Sequence, residues 1–521
     1  MSSSVSHLSP PQVDPVSHEA ILNWIVELQA AMRAVSFAEL LDFDGVDSLD
    51  VLVSPLFVSA LYALRSDGPQ PRPPARRLVE RVRDWAYGRK SGWQQRIAAW
   101  RSAAPQPADV VLWTRDITHT VNMQPLAIAL RQRGVSCGLL ACQAAVFNQL
   151  RKQNIDAVYT VGAWPKVVRK AKREGVRRAK QLAACGRWPV PPFEGPLADS
   201  LERAVRNTVI SQLPSTSEAI ANARAALSYS ACRLLVVGND LTIEGRAGAR
   251  VAAALGIPSA VFMHGSISAN PLHAMHCADR LLVFGESQRR DLLRLGIADK
   301  AIVVCGIPSL DRRPRQTGRI HPLLQSRLGL KSGEPWILVA TSGPGHSISH
   351  AHHEKVVANL ARLSAAIPDV PVVVKLHRKD RLENYQRGLN DRAGAKFFVV
   401  PQNARGFPTD IFEWLQGPSM LLTGASSTAI EAMLMDVPVI TMDYCNEIKG
   451  ADFIDAGATV HVKTGDALEA AVRKILAGGT PEEVRHRAQN FLKDAFLALD
   501  GRAAERGAAV LCDLVRLGKA K

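Results

Sequence analysis

From Val110 onward the chain alternates short apolar runs with longer amphipathic stretches. VVLWT, CGLLAC, AVYTVG, CRLLVVGND, PSAVFMHG, ADRLLVFGE and AIVVCG each read as a strand, with helical patterns such as PLAIALRQRG, GRAGARVAAALG and SQRRDLLRLG between them. Apolar runs without polar alternation are strands buried on both faces, and their regular exchange with helices predicts a parallel sheet covered on each side. This first domain runs from 105 to 310. After the polar joint LDRRPRQTGRIHP the pattern restarts with WILVATSG, a helix from His352 to Ala366, PVVVKLH, a helix after Asp380, KFFVVP, MLLTGA and PVITMD. That second domain spans 325–480, and residues 481–521 read as helices packing back across the joint. Residues 1–104 are mainly helical and end in the linker APQPAD. The fold class is α/β: two doubly wound domains with a helical N-terminal extension. Ligands of open parallel sheets bind beyond the carboxyl ends of the strands, so a cleft is expected there.

Composition narrows the picture. The chain has 521 residues, 47% hydrophobic and 21% charged, which is too long for one core and too apolar for disorder. The N-terminal MSSSVSHLSPPQVDPVSHEA lacks the build of a secretory signal, and the longest apolar stretch, Val51 to Leu64, is interrupted by Pro55 and shorter than the roughly 20 residues of a membrane span. A cytoplasmic protein is expected, peripheral on the inner membrane if its basic patches meet lipid. Eight cysteines without a C-x-x-C pair point to reduced, mostly buried thiols. The net charge of +16 is concentrated: ten Lys/Arg against three acids between Arg65 and Arg101, beside Trp85, Trp93 and Trp100, and nine against Glu174 alone between Lys166 and Arg187. Such runs suit a solvated face or a polyanion. The tryptophans favour an anionic membrane surface for the first, and no zinc finger, RNP-like strand or helix-turn-helix speaks for nucleic acid.

The candidate chemistry falls on loops at strand ends. In TGASSTAIEAM, Ser426, Ser427 and Thr428 open a helix; Thr428 and Glu431 have capping-box spacing, and the two serines add donors to a helix start suited to phosphate. Ser342, Gly343 and Gly345 form a glycine turn after WILVAT, and KLHRKD puts Lys375 on a strand end with His377 beyond it. A cationic pair, a glycine loop and a serine-rich helix start together describe a diphosphate site. In the first domain His264 of FMHGSIS is a candidate general base, with Asp240 and Asp116, also at strand ends, as groups that orient it or hold an acceptor. The histidines of GHSISHAHHE have no zinc-motif spacing, so no metal is expected, and D-x-D at Asp42 and Asp44 reads as a turn. Absent Walker, complete G-x-G-x-x-G and G-x-S-x-G motifs argue against an NTPase, a dehydrogenase and a hydrolase.

FMHGSIS, ADRLLVFGESQRRDLLRLGI, VVCGIPSLD, VVVKLH, TDIFEWLQGPSMLLTGASSTAIEAMLMDVPVITMD and FLKDAFLALDGRAAERGAAVL resemble, in that order, bacterial surface-polysaccharide glycosyltransferases of the GT-B fold, with two Rossmann-like domains. The nearest group is that of CDP-glycerol glycerophosphotransferases and capsule transferases. The resemblance covers about 110 to 515. It implies transfer from a CDP-, CMP- or UDP-linked donor to a glycan or lipid-linked acceptor, without a cofactor or essential metal. It also implies His264 as base, Lys375, His377, Ser426 and Ser427 on the donor, and Glu431 near the ribose. His377 is followed by Arg378 where that group commonly has proline. Two alternatives stand beside it: a UDP-sugar 2-epimerase, which shares the two-domain build but leaves the basic N-terminal region unexplained, and a nucleotide or glycan sensor without catalysis.

Overall fold

The computed structural model describes residues 18–34, 37–63, 94, 97–98, 101–102, 106–152, 155, 157–186, 188–191, 198–263, 271–311, 319–344, 348–377, 380–385, 396–402, 404–448 and 451–517. The chain divides into two compact units, one of residues 1–284, 288–309 and 502–521, the other of 285–287 and 310–501.

The first unit opens with helix α1 (His18–Arg33), a small hairpin and helix α2 (Val53–Ala63). The hairpin pairs Asp42–Phe43 with Val46–Asp47, and Asp44 and Gly45 between them have φ of 54° and 78°, the left-handed pair a two-residue turn requires. The D-x-D stretch is therefore the turn the sequence indicates, with Gly45 N donating to Asp42 Oδ1 at 3.0 Å.

A seven-stranded parallel sheet follows: β1 (Val110–Thr114), β2 (Cys137–Ala141), β3 (Val158–Tyr159), β4 (Leu234–Val237), β5 (Ser259–Phe262), β6 (Arg280–Val283) and β7 (Ile302–Val304), in spatial order β3-β2-β1-β4-β5-β6-β7. Every residue of β1, β4 and β5 is buried, as both-face coverage demands. The covering helices include α3 (Ile117–Gln132), α4 (Pro165–Ala184), α5 (Ala198–Ser230) and α6 (Ile243–Ala254). Helix α6 lies close on the sheet because Gly248 faces it; a Cβ there would stand 3.4 Å from Leu235 and 3.8 Å from Val237. The 33-residue α5 is not anticipated by the sequence pattern.

The second unit is a six-stranded parallel sheet: β8 (Ile337–Ala340), β9 (Val372–Lys375), β10 (Phe397–Val400), β11 (Met420–Thr423), β12 (Val439–Met442) and β13 (Val460–Val462), in order β10-β9-β8-β11-β12-β13. The strand order reverses between β8 and β11, so the loops after these strands diverge there and leave a crevice at the carboxyl edge. Helices α7 (His350–Ala366), α8 (Thr428–Leu434) and α9 (Gly465–Gly478) follow β8, β11 and β13. Apolar residues of β8, β9, β11 and β12 form one buried cluster with Val356, Val357, Leu360 and Leu363 of α7 and Leu468 and Val472 of α9.

Residues 503–517 form a last helix, α10, which belongs to the first unit. Arg506 Nε donates to Cys305 O at 2.9 Å, Arg233 Nη2 to Val515 O at 2.6 Å, and a Cβ on Gly507 would come 3.1 Å from Leu126 of α3. The protein thus has two Rossmann-like units and a helical N-terminal region. Among the described residues no helix is long and apolar enough to cross a membrane.

Candidate functional site

The second sheet's carboxyl edge gathers chemistry from four consecutive strand ends. Parallel register sets Ala340 of β8 beside Lys375 of β9, and just beyond them Thr341 and His377 meet, His377 N donating to Thr341 Oγ1 at 3.0 Å. On the other flank of β8 lies β11, whose Thr423 hydroxyl donates to Ala340 O at 3.0 Å. The edge loops are thereby tied together by the strands' own hydroxyls.

Lys375 is the half-buried cation of this edge. Burial holds its ammonium below the ordinary lysine value, while the negative charge of Glu431, on α8, works the other way. Removing an ammonium from water is unfavourable without a counter-charge, and Glu431 supplies part of one here. Ser342 is half-buried and Gly343 buried in the turn after β8; Gly345 lies outside the described residues.

The TGASSTAIEAM turn differs from the expectation in one respect. Ser427 is the residue before α8, has helical φ and ψ of −56° and −21°, and makes no side-chain capping bond. Thr428 is already inside the helix, so the Thr428–Glu431 capping box is not formed; a capping residue needs extended backbone, and the helical geometry here starts one residue too early. Ser426 takes over: its Oγ accepts from Thr428 N at 3.3 Å and donates to Thr428 Oγ1 at 3.1 Å. The N–H groups of Ala429, Ile430 and Glu431 donate to Ser426 O and Ser427 O at 3.0–3.1 Å. The first turn is self-satisfied, and exposed Ser427 carries the outward hydroxyl.

Behind this edge is a polar network the sequence did not disclose. Ser349 caps α7 by accepting from His352 N at 3.0 Å, and its own N donates to Glu447 Oε2 at 2.8 Å. The Ser349 hydroxyl also donates to Glu447 Oε1, and these two bonds, side chain and backbone, hold the Glu447 carboxyl below its ordinary value. Buried His352 accepts from Tyr444 N at Nε2, 3.3 Å, which directs its Nδ1 towards Glu447 Oε2 at 3.5 Å. The neighbouring His353 points Nε2 at Asp380 Oδ1, 3.4 Å away, with its ring edge-on to Tyr385. Asp380 also accepts from Tyr385 Oη at 2.9 Å and Asn384 Nδ2 at 3.1 Å. Burial pushes the Asp380 carboxyl up, but hydrogen bonds from His353, Asn384, Thr341 and Tyr385 outweigh it and the net displacement is downward. Thr341, Ser342, His352, His353, Tyr385 and Gly424 enclose a cavity of about 20 Å³. That volume admits one water molecule and no sugar, so the network supports the edge from beneath. The signal for it was present in adjacent His352 and His353, read only against zinc spacing.

The first-unit candidates are placed differently. Asp240 follows β4 and is buried, its Oδ2 accepting from Cys277 N at 2.7 Å and Ala278 N at 3.3 Å, so one carboxylate oxygen is engaged in holding the loop before β6. Asp116 caps α3 by accepting from His119 N at 3.2 Å and approaches His119 Nε2 at 3.6 Å. His264 lies outside the described residues.

Comparison with known proteins agrees with this architecture. The family model described as UDP-N-acetylglucosamine 2-epimerase matches residues 207–511. Among solved structures, the UDP-GlcNAc 2-epimerase of Methanocaldococcus jannaschii is similar at 14% identity with a TM-score of 0.53, over 78% of this chain and 99% of that one. MnaA of S. aureus, solved with UDP, is similar at 13% identity and TM-score 0.50, over 78% and 97%. At such identities the likeness shows the fold, the GT-B type of build that the sequence resemblance implied. No curated protein matches the chain.

Proposed function

Because the chain belongs to the UDP-N-acetylglucosamine 2-epimerase family, we propose that it is an enzyme of nucleotide sugars, binding a UDP-linked N-acetylhexosamine and inverting the sugar at C2. The family match supports this isomerase alternative better than the transferase reading drawn from the sequence resemblance, and it lends nothing to the CDP-glycerol group.

The observation that carries the binding half is Lys375: a desolvated ammonium at a strand's carboxyl end, within the field of Glu431 and on the same sheet edge as the Ser342–Gly343 turn and Ser427. A diphosphate supplies the charge that such a cation lacks in full, and glycine turns let backbone N–H groups approach phosphate oxygens. In this reading Ser342, Gly343, Gly345, Lys375, His377, Ser426 and Ser427 receive the diphosphate, Thr428 keeps Ser426 in place, and Glu431 lies by the ribose.

Inverting C2 exchanges its hydrogen for a proton delivered to the opposite face; the C2–H electron pair forms a C1–C2 double bond as the C1–O bond to UDP breaks, and UDP re-adds at C1 as C2 is protonated, so one group must take a proton, another give one, and the diphosphate must be held meanwhile. His264 is the proposed proton acceptor, since imidazole works near neutral pH. Asp240 and Asp116 position it or the sugar rather than transfer protons, each carboxylate being already engaged with backbone N–H groups.

The test is incubation with UDP-GlcNAc in D2O, followed by NMR. The 2-epimer carrying one deuterium at C2 is expected, with turnover in His264→Ala reduced at least about a hundredfold, the range for losing a general base. UDP released only when a glycan acceptor is present, with no epimer, would restore the transferase reading. Binding without either reaction would leave a sensor. For the site itself, UDP at a hundred times its Kd should add about 2.7 kcal/mol of stability. That gain should shrink in Lys375→Met and Ser427→Ala as read by thermal melting.

A further inference from the structure

Helix α4 carries far more positive charge than its own packing explains. Val168, Gly175, Ala179 and Leu182 form its buried row. At about 100° per residue, Lys166, Arg169, Lys170, Arg173, Arg177 and Lys180 fall in one sector about 100° wide on the opposite side, and the row from first to last is about 21 Å long. All six are exposed. The only acid in the helix, Glu174, is taken by Arg177 and Arg178, with Oε1 2.7 Å from Arg178 Nε, and Glu218 is taken by Lys172 at 3.0 Å. Lys166, Arg169, Lys170, Arg173 and Lys180 have no carboxylate partner among the described residues. They repel one another at i, i+3 and i, i+4 spacing, which weakens a helix.

The helix persists because it is fixed from beneath. A Cβ on Gly175 would lie 2.2 Å from Ser217 Oγ and 2.9 Å from Pro214 Cα, so α4 meets α5 backbone to backbone. Arg206 of α5 donates to Ala183 O at 2.6 Å and Cys185 O at 3.2 Å, closing the helix's C-terminal end. The result is an anchored row of exposed cations, all but Arg177 without a carboxylate partner among the described residues.

We propose that this face of α4 docks on an anionic lipid bilayer. Apart from Lys and Arg the sector holds only Ala184, with no aromatic face on which a base could stack. One border is apolar and exposed, Val176 at 40%, and exposed Val167, at 47%, lies beyond Gln181 and Glu174 on the other side. Beside the helix's first residue Trp164 packs on Tyr229, ring centroids 6.1 Å apart, with Tyr229 52% exposed. Cations with exposed valines nearby and an indole and a phenol at one end match the chemistry of a headgroup layer.

The experiment is flotation of the full chain with vesicles of phosphatidylcholine alone or with 30% phosphatidylglycerol. Binding only to the anionic vesicles, abolished by high salt, is expected. The variant K166Q/K170Q/R173Q/K180Q should lose affinity by roughly a hundred- to a thousandfold. A second variant, R362Q/R473Q/R485Q/R487Q, removes the same charge from exposed positions of the other unit and should bind as the native protein does. Should the first variant melt early, K166Q/K170Q tests the same point with a smaller loss. The proposal falls if the native chain stays with neither vesicle. It also falls if both quadruple variants lose equally, or if a duplex oligonucleotide displaces the vesicles through these same residues.

Discussion

Asp380 shows how a single carboxylate can hold a strand edge. Its folded pKa lies below the ordinary 3.8, so the stability it supplies is complete above that value and is lost as pH falls through the lower folded pKa. Asp380→Asn should therefore cost about 1–3 kcal/mol near neutral pH, the range for stranding buried partners such as Tyr385 and His353. The gap from the native protein in urea denaturation should narrow towards pH 3. A gap that stays constant with pH would mean that Asp380 acts through shape and not charge. Gly175 tests packing in the same way: Gly175→Ala forces a methyl against Pro214 backbone and should lower stability by about 1–3 kcal/mol, with α4 loosened in hydrogen exchange. At this scale the sequence was legible where chemistry is local. Lys375 stood out as a cation ending an apolar strand. Asp380, Tyr385 and Glu447 did not, because their roles come from partners far along the chain, such as Ser349 for Glu447.

At the scale of elements, apolar runs announced the strands well, since burial on both faces leaves little choice of side chain. Helix α5 was hidden because SQLPSTS around Pro214 reads as a turn, yet the helix runs through it with Leu201, Val205, Val209, Leu213 and Ile220 all buried. Tertiary packing overrides the local signal there. The start of α8 was misread for the opposite reason: T-x-x-E spacing is a real capping signal, but the helix begins at Thr428 itself, whose N–H goes to Ser426 Oγ while the Glu431 N–H goes to Ser427 O. Ser426→Ala should consequently fray α8 by about 1 kcal/mol, whereas Thr428→Ala, which removes no backbone cap, should cost less; comparing the two by chemical denaturation checks the assignment.

At the scale of the whole molecule, the alternation of strands and helices was enough for two doubly wound units, but not for the distribution of the chain between them. Residues 288–309 and 502–521 both belong to the first unit, although nearly all of the second unit lies between them. Deleting residues 503–521 removes buried Ala508, Leu511 and Val515 and the acceptor of Arg233. The first unit should then become protease-sensitive while fragments of residues 310–501 survive digestion, as followed on gels over time. Loss of both units at the same rate would argue for one cooperative fold.

That division also fixes an order of events during synthesis. The ribosome makes most of the first unit early, yet its closing helix α10 is translated only after residue 501. At about 5–20 residues per second, the nearly complete unit waits roughly ten seconds or more with the seat of α10 uncovered, while the later unit can finish folding. The part of this protein that begins first is completed last, and that interval is when it most needs a chaperone.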